Sequence, residues 1–92
     1  MGVNLVLVYG YLPPEHPESY NRTARLLAGE SPAAYFPDQL NNRENSVAHY
    51  RTTGPEIWRQ LAQKIDYLVA GIGNGGKFCG IARFLKESNP SM

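Results

Sequence analysis

The sequence predicts an α/β fold in which three parallel strands alternate with three helices, as one domain over residues 1–92. Three observations predict it. Residues 3–9 (VNLVLVY) and 65–72 (IDYLVAGI) are apolar runs with too few polar residues for one wet face. Apolar residues recur at helical spacing in the segments between and after them. Proline and glycine clusters punctuate the junctions.

Taken in order, residues 3–9 read as a buried strand, and residues 10–17 as a loop because Pro13, Pro14 and Pro17 interrupt it. From Glu18, Tyr20, Ala24, Leu27 and Ala28 share one helical face, and Gly29 suits the C-terminal cap. Residues 34–40 read as a strand weakened by Pro37, and residues 41–46 as a polar loop. Thr53 with Glu56 forms a capping box around Pro55, and Ile57, Trp58, Leu61 and Ala62 give the following helix its buried face. Residues 65–72 are the last strand. A final helix over about 75–87 carries Phe78, Ile81, Ala82 and Leu85 at helical spacing, and Asn89 and Pro90 stop it.

Bulk properties exclude several classes of function. A formal net charge of +1 argues against nucleic acid or an anionic membrane as the main partner. Cys79 is the one cysteine, so no internal disulfide forms, which fits a reducing, cytoplasmic setting. The apolar runs are too short to cross a bilayer, and residues 1–9 carry no basic start or cleavage pattern of a signal peptide.

Chemistry concentrates at Gly71, Gly73, Gly75 and Gly76, where the last strand meets the last helix. Backbone N–H groups uncrowded by side chains at a helix start form an anion cradle. The helix dipole would favour an anion there by roughly 0.3–1 kcal/mol, with charge-assisted hydrogen bonds adding more. Lys77 places a positive charge in the first turn. The competing reading is a tight turn that lets helix and sheet pack closely. Gly71, Gly73 and Gly76 also satisfy G-x-G-x-x-G, but no strand or acidic ribose partner follows before Met92, and no Gly-Lys-Ser/Thr marks a nucleotide-triphosphate loop. His49 reads as a structural hydrogen-bonding residue rather than a catalyst, and Cys79 as a small core thiol rather than half of a Cys79–His49 nucleophile pair. Two histidines and one cysteine lack metal-ligand spacing.

AHYRTTGPEIW (residues 48–58), IDYLVAGIGNGGKFCGIARFLKESNP (65–90) and the upstream HPESYNRTARLL and DQLNN together resemble the cysteine synthase and cystathionine β-synthase branch of the pyridoxal-phosphate enzymes. The resemblance covers the chain from about Val3. HPES is closer to cystathionine β-synthase, TTGPEIW to cysteine synthase. It implies the central part of a tryptophan-synthase-β-like fold, pyridoxal phosphate as cofactor, and β-replacement on serine or O-acetylserine. It implies that Gly73, Asn74, Gly75, Gly76 and Lys77 hold the cofactor phosphate, where the family has Gly-Thr-Gly-Gly-Thr. It also implies that Gln39 faces the amino-acid substrate, with Asn42 and Asn45 matching the pattern around it. Lys64, Lys77 and Lys86 are the only lysines, and none matches the family's covalent cofactor lysine. The expectation is therefore no catalytic residue here and no activity for the isolated chain. A partner chain or a longer product would have to supply that lysine, and a full-length homologue or a homodimer is the partner expected. The alternative is a non-catalytic module that binds a phosphorylated ligand or docks on a full-length homologue.

Overall fold

The computed structural model describes residues 2–92 and contains four helices. These are α1 (Tyr20–Gly29), α2 (Glu44–Arg51), α3 (Thr53–Gln60) and α4 (Gly76–Ser88). Among the described residues there is no strand and no sheet, so the expected three-stranded parallel α/β fold is overturned. The nearest approach to it is a single parallel bridge between Tyr9 and Ser19. The reason is pairing. A strand's N–H and C=O groups gain nothing from β geometry until a neighbouring strand takes them. Residues 3–8 and 65–72 instead follow irregular backbone, with Leu5 80%, Leu7 85%, Tyr67 88% and Val69 93% exposed. Residues 34–40 also form no strand. Pro37 withholds an amide, and Asp38 sits at φ 46°, left-handed backbone incompatible with a ladder.

The chain forms two compact units, Met1–Asp38 and Gln39–Met92. The first is organised by polar groups. Ser19, fully buried, caps α1: its Oγ accepts from the Arg22 N–H at 3.3 Å and donates to the Pro14 carbonyl at 2.8 Å. Asn21, also buried, donates to Asp38 Oδ1 at 3.3 Å, and Arg25 pairs with Asp38 Oδ2 at 2.9 Å. The apolar face expected for α1 is only partly covered: Tyr20, Ala24 and Ala28 are half-buried, and Leu27 is 42% exposed. Gly29 ends the helix, but the cap is Glu30 in right-handed geometry.

The second unit holds the hydrophobic core: Ile65, Ile81 and Leu85 are buried, with Ile57, Trp58, Leu68, Phe84 and Met92 packed on them. Helix α2 takes in residues 44–46 of the expected polar loop, although its apolar positions are few. It forms against α4, whose glycines remove the steric obstacle. A Cβ on Gly80 would lie 2.2 Å from the Ser46 carbonyl oxygen and 2.8 Å from His49 Cβ. A Cβ on Gly76 would strike the Asn45 carboxamide, and one on Gly54 of α3 would strike Phe84. Two small residues one turn apart thus let the α2 and α4 backbones approach closely.

The α2–α4 seam closes at its exposed end through Tyr50 Oη, which donates to Glu87 Oε2 at 2.6 Å, and Arg83 Nε, which donates to Glu87 Oε1 at 2.9 Å. The Tyr50 hydrogen bond, then that of Arg83, holds the Glu87 carboxyl below the usual carboxylate range, and the Glu87 bond raises the Tyr50 phenol.

Thr52 joins α2 to α3 and turns its hydroxyl back to the Ala48 carbonyl at 2.8 Å. The expected Thr53 capping box is absent: α3 has no side-chain cap, and Thr53 sits inside the helix against His49. Leu61 and Ala62 also leave the expected buried face, because α3 stops at Gln60. The Gln63 amide donates to the Trp58 carbonyl and the Ala62 amide to the Arg59 carbonyl, the pairing of a Schellman ending. That ending places Ala62 at φ 49°, where glycine fits without Cβ strain. Ala62→Gly is therefore expected to stabilise the chain by about 0.5–1 kcal/mol, strain relief outweighing the lost chain stiffness. Urea denaturation followed at Trp58 checks this, through a raised midpoint at unchanged slope.

Candidate functional site: the glycine bend at the start of α4

Residues 71–75 bring the chain out of the core edge at Ile65 and turn it into α4. Gly75 is the N-cap residue at φ 85°, ψ −18°, a left-handed conformation that the missing Cβ permits. The first helical bond runs from the Cys79 N–H to the Gly75 carbonyl at 2.9 Å. The amides of Gly76, Lys77 and Phe78 therefore precede the helical ladder and point out of its end. Gly76 donates to Asn74 Oδ1 at 3.0 Å. Among the described residues no protein acceptor takes the Lys77 or Phe78 amide, which leaves two donors for a ligand. Gly73 has open space where a Cβ would stand. The bend thus sits at a helix beginning, as the sequence predicts.

A cleft of about 310 Å³ opens against this bend, lined by Gly71, Ile72, Gly73, Asn74, Gly75, Lys77 and Phe78 with Asn45 and His49 from α2. Lys77 is exposed and makes no ion pair among the described residues, so its charge is available to an anion in that cleft. A second cleft of about 220 Å³ is lined by residues 39–43, 45, 46, 74–76 and 79. Asn45, Asn74 and Gly75 line both, so the two carboxamides form the partition between them.

Gln39 lies in the smaller cleft and is tied to the partition. Asn74 Nδ2 donates to Gln39 Oε1 at 3.2 Å, and Asn45 Nδ2 donates to the Gln39 carbonyl at 2.9 Å and to Asn74 Oδ1 at 3.1 Å. The geometry thus brings Gln39 directly onto Asn74, although 35 positions separate them. Asn45, which the resemblance marks as matching the pattern around Gln39, is here a direct contact of Asn74. Its signal was the Gly76/Gly80 spacing, which makes room for α2.

One sequence reading changes here and one holds. Cys79 is exposed and lines the smaller cleft, so it is not a core thiol. It faces outward because the buried positions Gly76, Gly80 and Ile81 occupy the other side of the turn. His49 instead lines the larger cleft, and its Nδ1 lies 2.9 Å from Thr53 Oγ1, a structural contact. The two side chains are not gathered into a nucleophile pair. Among the described residues no group of three His, Cys, Asp or Glu side chains could hold a metal ion. None of their helices is long and apolar enough to cross a membrane.

Comparison with known proteins decides the family. The model of the pyridoxal-phosphate dependent enzymes matches residues 1–92. The chain belongs to that family. It is 41% identical over 80 residues to cysteine synthase 3 of Caenorhabditis elegans, which covers 87% of this chain and 24% of that protein. It is 47% identical over 76 residues to cystathionine beta-synthase of Apis mellifera, covering 83% of this chain and 15% of that protein. Cysteine synthase 2 of Schizosaccharomyces pombe is 52% identical over 58 residues, covering 63% of this chain and 15% of its own length. The chain thus spans a quarter or less of these pyridoxal-phosphate enzymes.

The residues at the bend fit the family's cofactor at its phosphate end. They offer two amides without protein acceptors, an exposed ammonium and a glycine-walled cleft, where a phosphate dianion finds donors and no buried carboxylate.

Proposed function

We propose that residues 1–92 are the central part of one pyridoxal-phosphate enzyme domain. That domain would replace the β-substituent of serine or O-acetylserine in the synthesis of cysteine or cystathionine. In this reading Gly73, Asn74, Gly75, Gly76 and Lys77 hold the cofactor phosphate through backbone amides and the lysine charge, and Gln39 lies toward the amino-acid substrate. The observation that carries it is the glycine bend at the N-terminus of α4, with free amides facing a cleft, in a chain of this family.

Pyridoxal phosphate, when bound, supplies the electron sink for breaking bonds at the amino acid's α-carbon. The chain's own part is binding and orientation: amide hydrogens and Lys77 neutralise the phosphate, and α2 walls the cleft. Lys64, Lys77 and Lys86 do not match the family's covalent lysine, so that group would come from chain outside residues 1–92 or from a full-length homologue as partner. A cytoplasmic setting is part of the same proposal, in keeping with a single unpaired cysteine.

The test is titration of the purified chain with pyridoxal phosphate, followed by calorimetry and visible absorption. Saturable binding that inorganic phosphate displaces, and that Lys77→Glu weakens at least fivefold, is the expected result. No saturable binding, or binding indifferent to phosphate, would sink the phosphate assignment. A second reading, a non-catalytic phosphate-binding or regulatory module, is favoured by Asn74 and Lys77 standing where the family has threonines. It predicts phosphate-sensitive binding by the purified chain with no borohydride-reducible imine and no spectral response to added serine.

A further inference from the structure

We infer that the Asn74 carboxamide is an internal stand-in for the anion, so that phosphate entry at the bend and release of Gln39 are one event. The inference rests on the phosphate reading above and adds its regulation. Asn74 Oδ1 takes the Gly76 amide, a donor that a phosphate at this helix start would use. The same carboxamide donates to Gln39 Oε1 and accepts from Asn45 Nδ2. One side chain therefore caps the helix, closes the partition between the clefts and tethers the residue expected nearest the substrate.

Competition follows from the hydrogen bonding. A neutral carboxamide oxygen and a phosphate oxygen cannot both sit on the Gly76 N–H at full strength, and the charged acceptor makes the stronger bond. Asn74 is exposed, so its displaced carboxamide is met by water at little cost. Once Oδ1 leaves Gly76, the arm that holds Gln39 Oε1 moves with it. The chain's departure from threonine at position 74 thus has a consequence a hydroxyl would not have. A threonine side chain is too short, and lacks the amide donor, to bridge from the bend to Gln39.

The experiment is titration with inorganic phosphate and with pyridoxal phosphate of the wild-type chain, Asn74→Ala and Asn74→Asp. The side-chain amide resonances of Gln39 are followed by NMR. Asn74→Ala frees the Gly76 donor and should bind both probes about three- to tenfold more tightly, the worth of one neutral hydrogen bond. Asn74→Asp keeps an oxygen on Gly76 and adds a negative charge, so binding should be lost. In the wild type, phosphate should shift the Gln39 resonances towards their position in Asn74→Ala, where they no longer respond. Equal or weaker binding by Asn74→Ala while the wild type binds would overturn the latch and leave the phosphate assignment standing. So would Gln39 resonances that ignore phosphate. If no form of the chain binds either probe, the phosphate assignment falls and takes the latch with it. Asn74→Ser guards against a folding artefact: it keeps a capping hydroxyl but loses the tether. It should bind within about threefold of wild type while leaving Gln39 in the released position.

Discussion

Leu85→Ala is expected to destabilise the 39–92 unit by about 2–3 kcal/mol, the largest effect of any single truncation in the chain. Leu85 is fully buried, and the core around it holds just two other buried hydrophobics, Ile65 and Ile81. The shell of Ile57, Trp58, Leu68, Phe84 and Met92 is half-exposed and can close part of the gap, which keeps the cost near the lower end for a buried leucine. The loss is nonetheless large for so small a unit. At roughly 0.05–0.15 kcal/mol per residue, a unit of this length has about 3–8 kcal/mol to lose. Trp58 packs on this core and is the only tryptophan, so its fluorescence during urea denaturation reports the change directly. A midpoint shift worth less than about 1 kcal/mol would show that Leu85 is not the centre of the packing.

Gly80→Ala is expected to destabilise by about 2 kcal/mol, against the sign that helix propensity alone dictates. In an unobstructed helix interior the change would stabilise by about 1 kcal/mol. At Gly80 the new methyl would stand 2.2 Å from the Ser46 carbonyl oxygen and 2.9 Å from the Tyr50 backbone nitrogen. Those atoms belong to backbone and cannot rotate away, so overpacking costs about 3 kcal/mol or more and outweighs the propensity gain. Helix α2 must then lift from α4 and carry Asn45 away from Gly76. Gly73→Ala, with open space around the added methyl, provides the control and should leave the urea midpoint unchanged or slightly raised. A rise in stability for Gly80→Ala would mean that α2 does not approach α4 so closely.

What was legible in the sequence was local or carried by extended motifs. The helical spacing of Phe78, Ile81 and Leu85 located α4, Asn89 stands at its end, and the glycines located the bend before it, whereas the Ser19 cap of α1 was not read from the sequence. Family membership was legible because long stretches such as residues 65–90 bear side chains specific to it. The sheet was not. An apolar run states that a segment would bury its side chains if paired, and says nothing about whether a partner strand is present. Helix α2 was hidden for the converse reason: its weak apolar pattern becomes helical against Gly76 and Gly80, contacts more than 30 positions away.

The sequence by itself determined where the backbone must bend, which segments wind into α1, α3 and α4, and to which family of enzymes the chain belongs. Each of those follows from neighbours in the chain: glycine tolerates left-handed torsions, spaced apolar residues create one helical face, and motifs are read in register. Tertiary structure alone decided that residues 3–8 and 65–72 stay unpaired, that Cys79 faces outward, and that Asn74 reaches Gln39 across the cleft wall. The first reflects the lack of a partner strand among the described residues, and the last depends on atoms far apart in sequence meeting at 3.2 Å beside the close approach of α2 to α4.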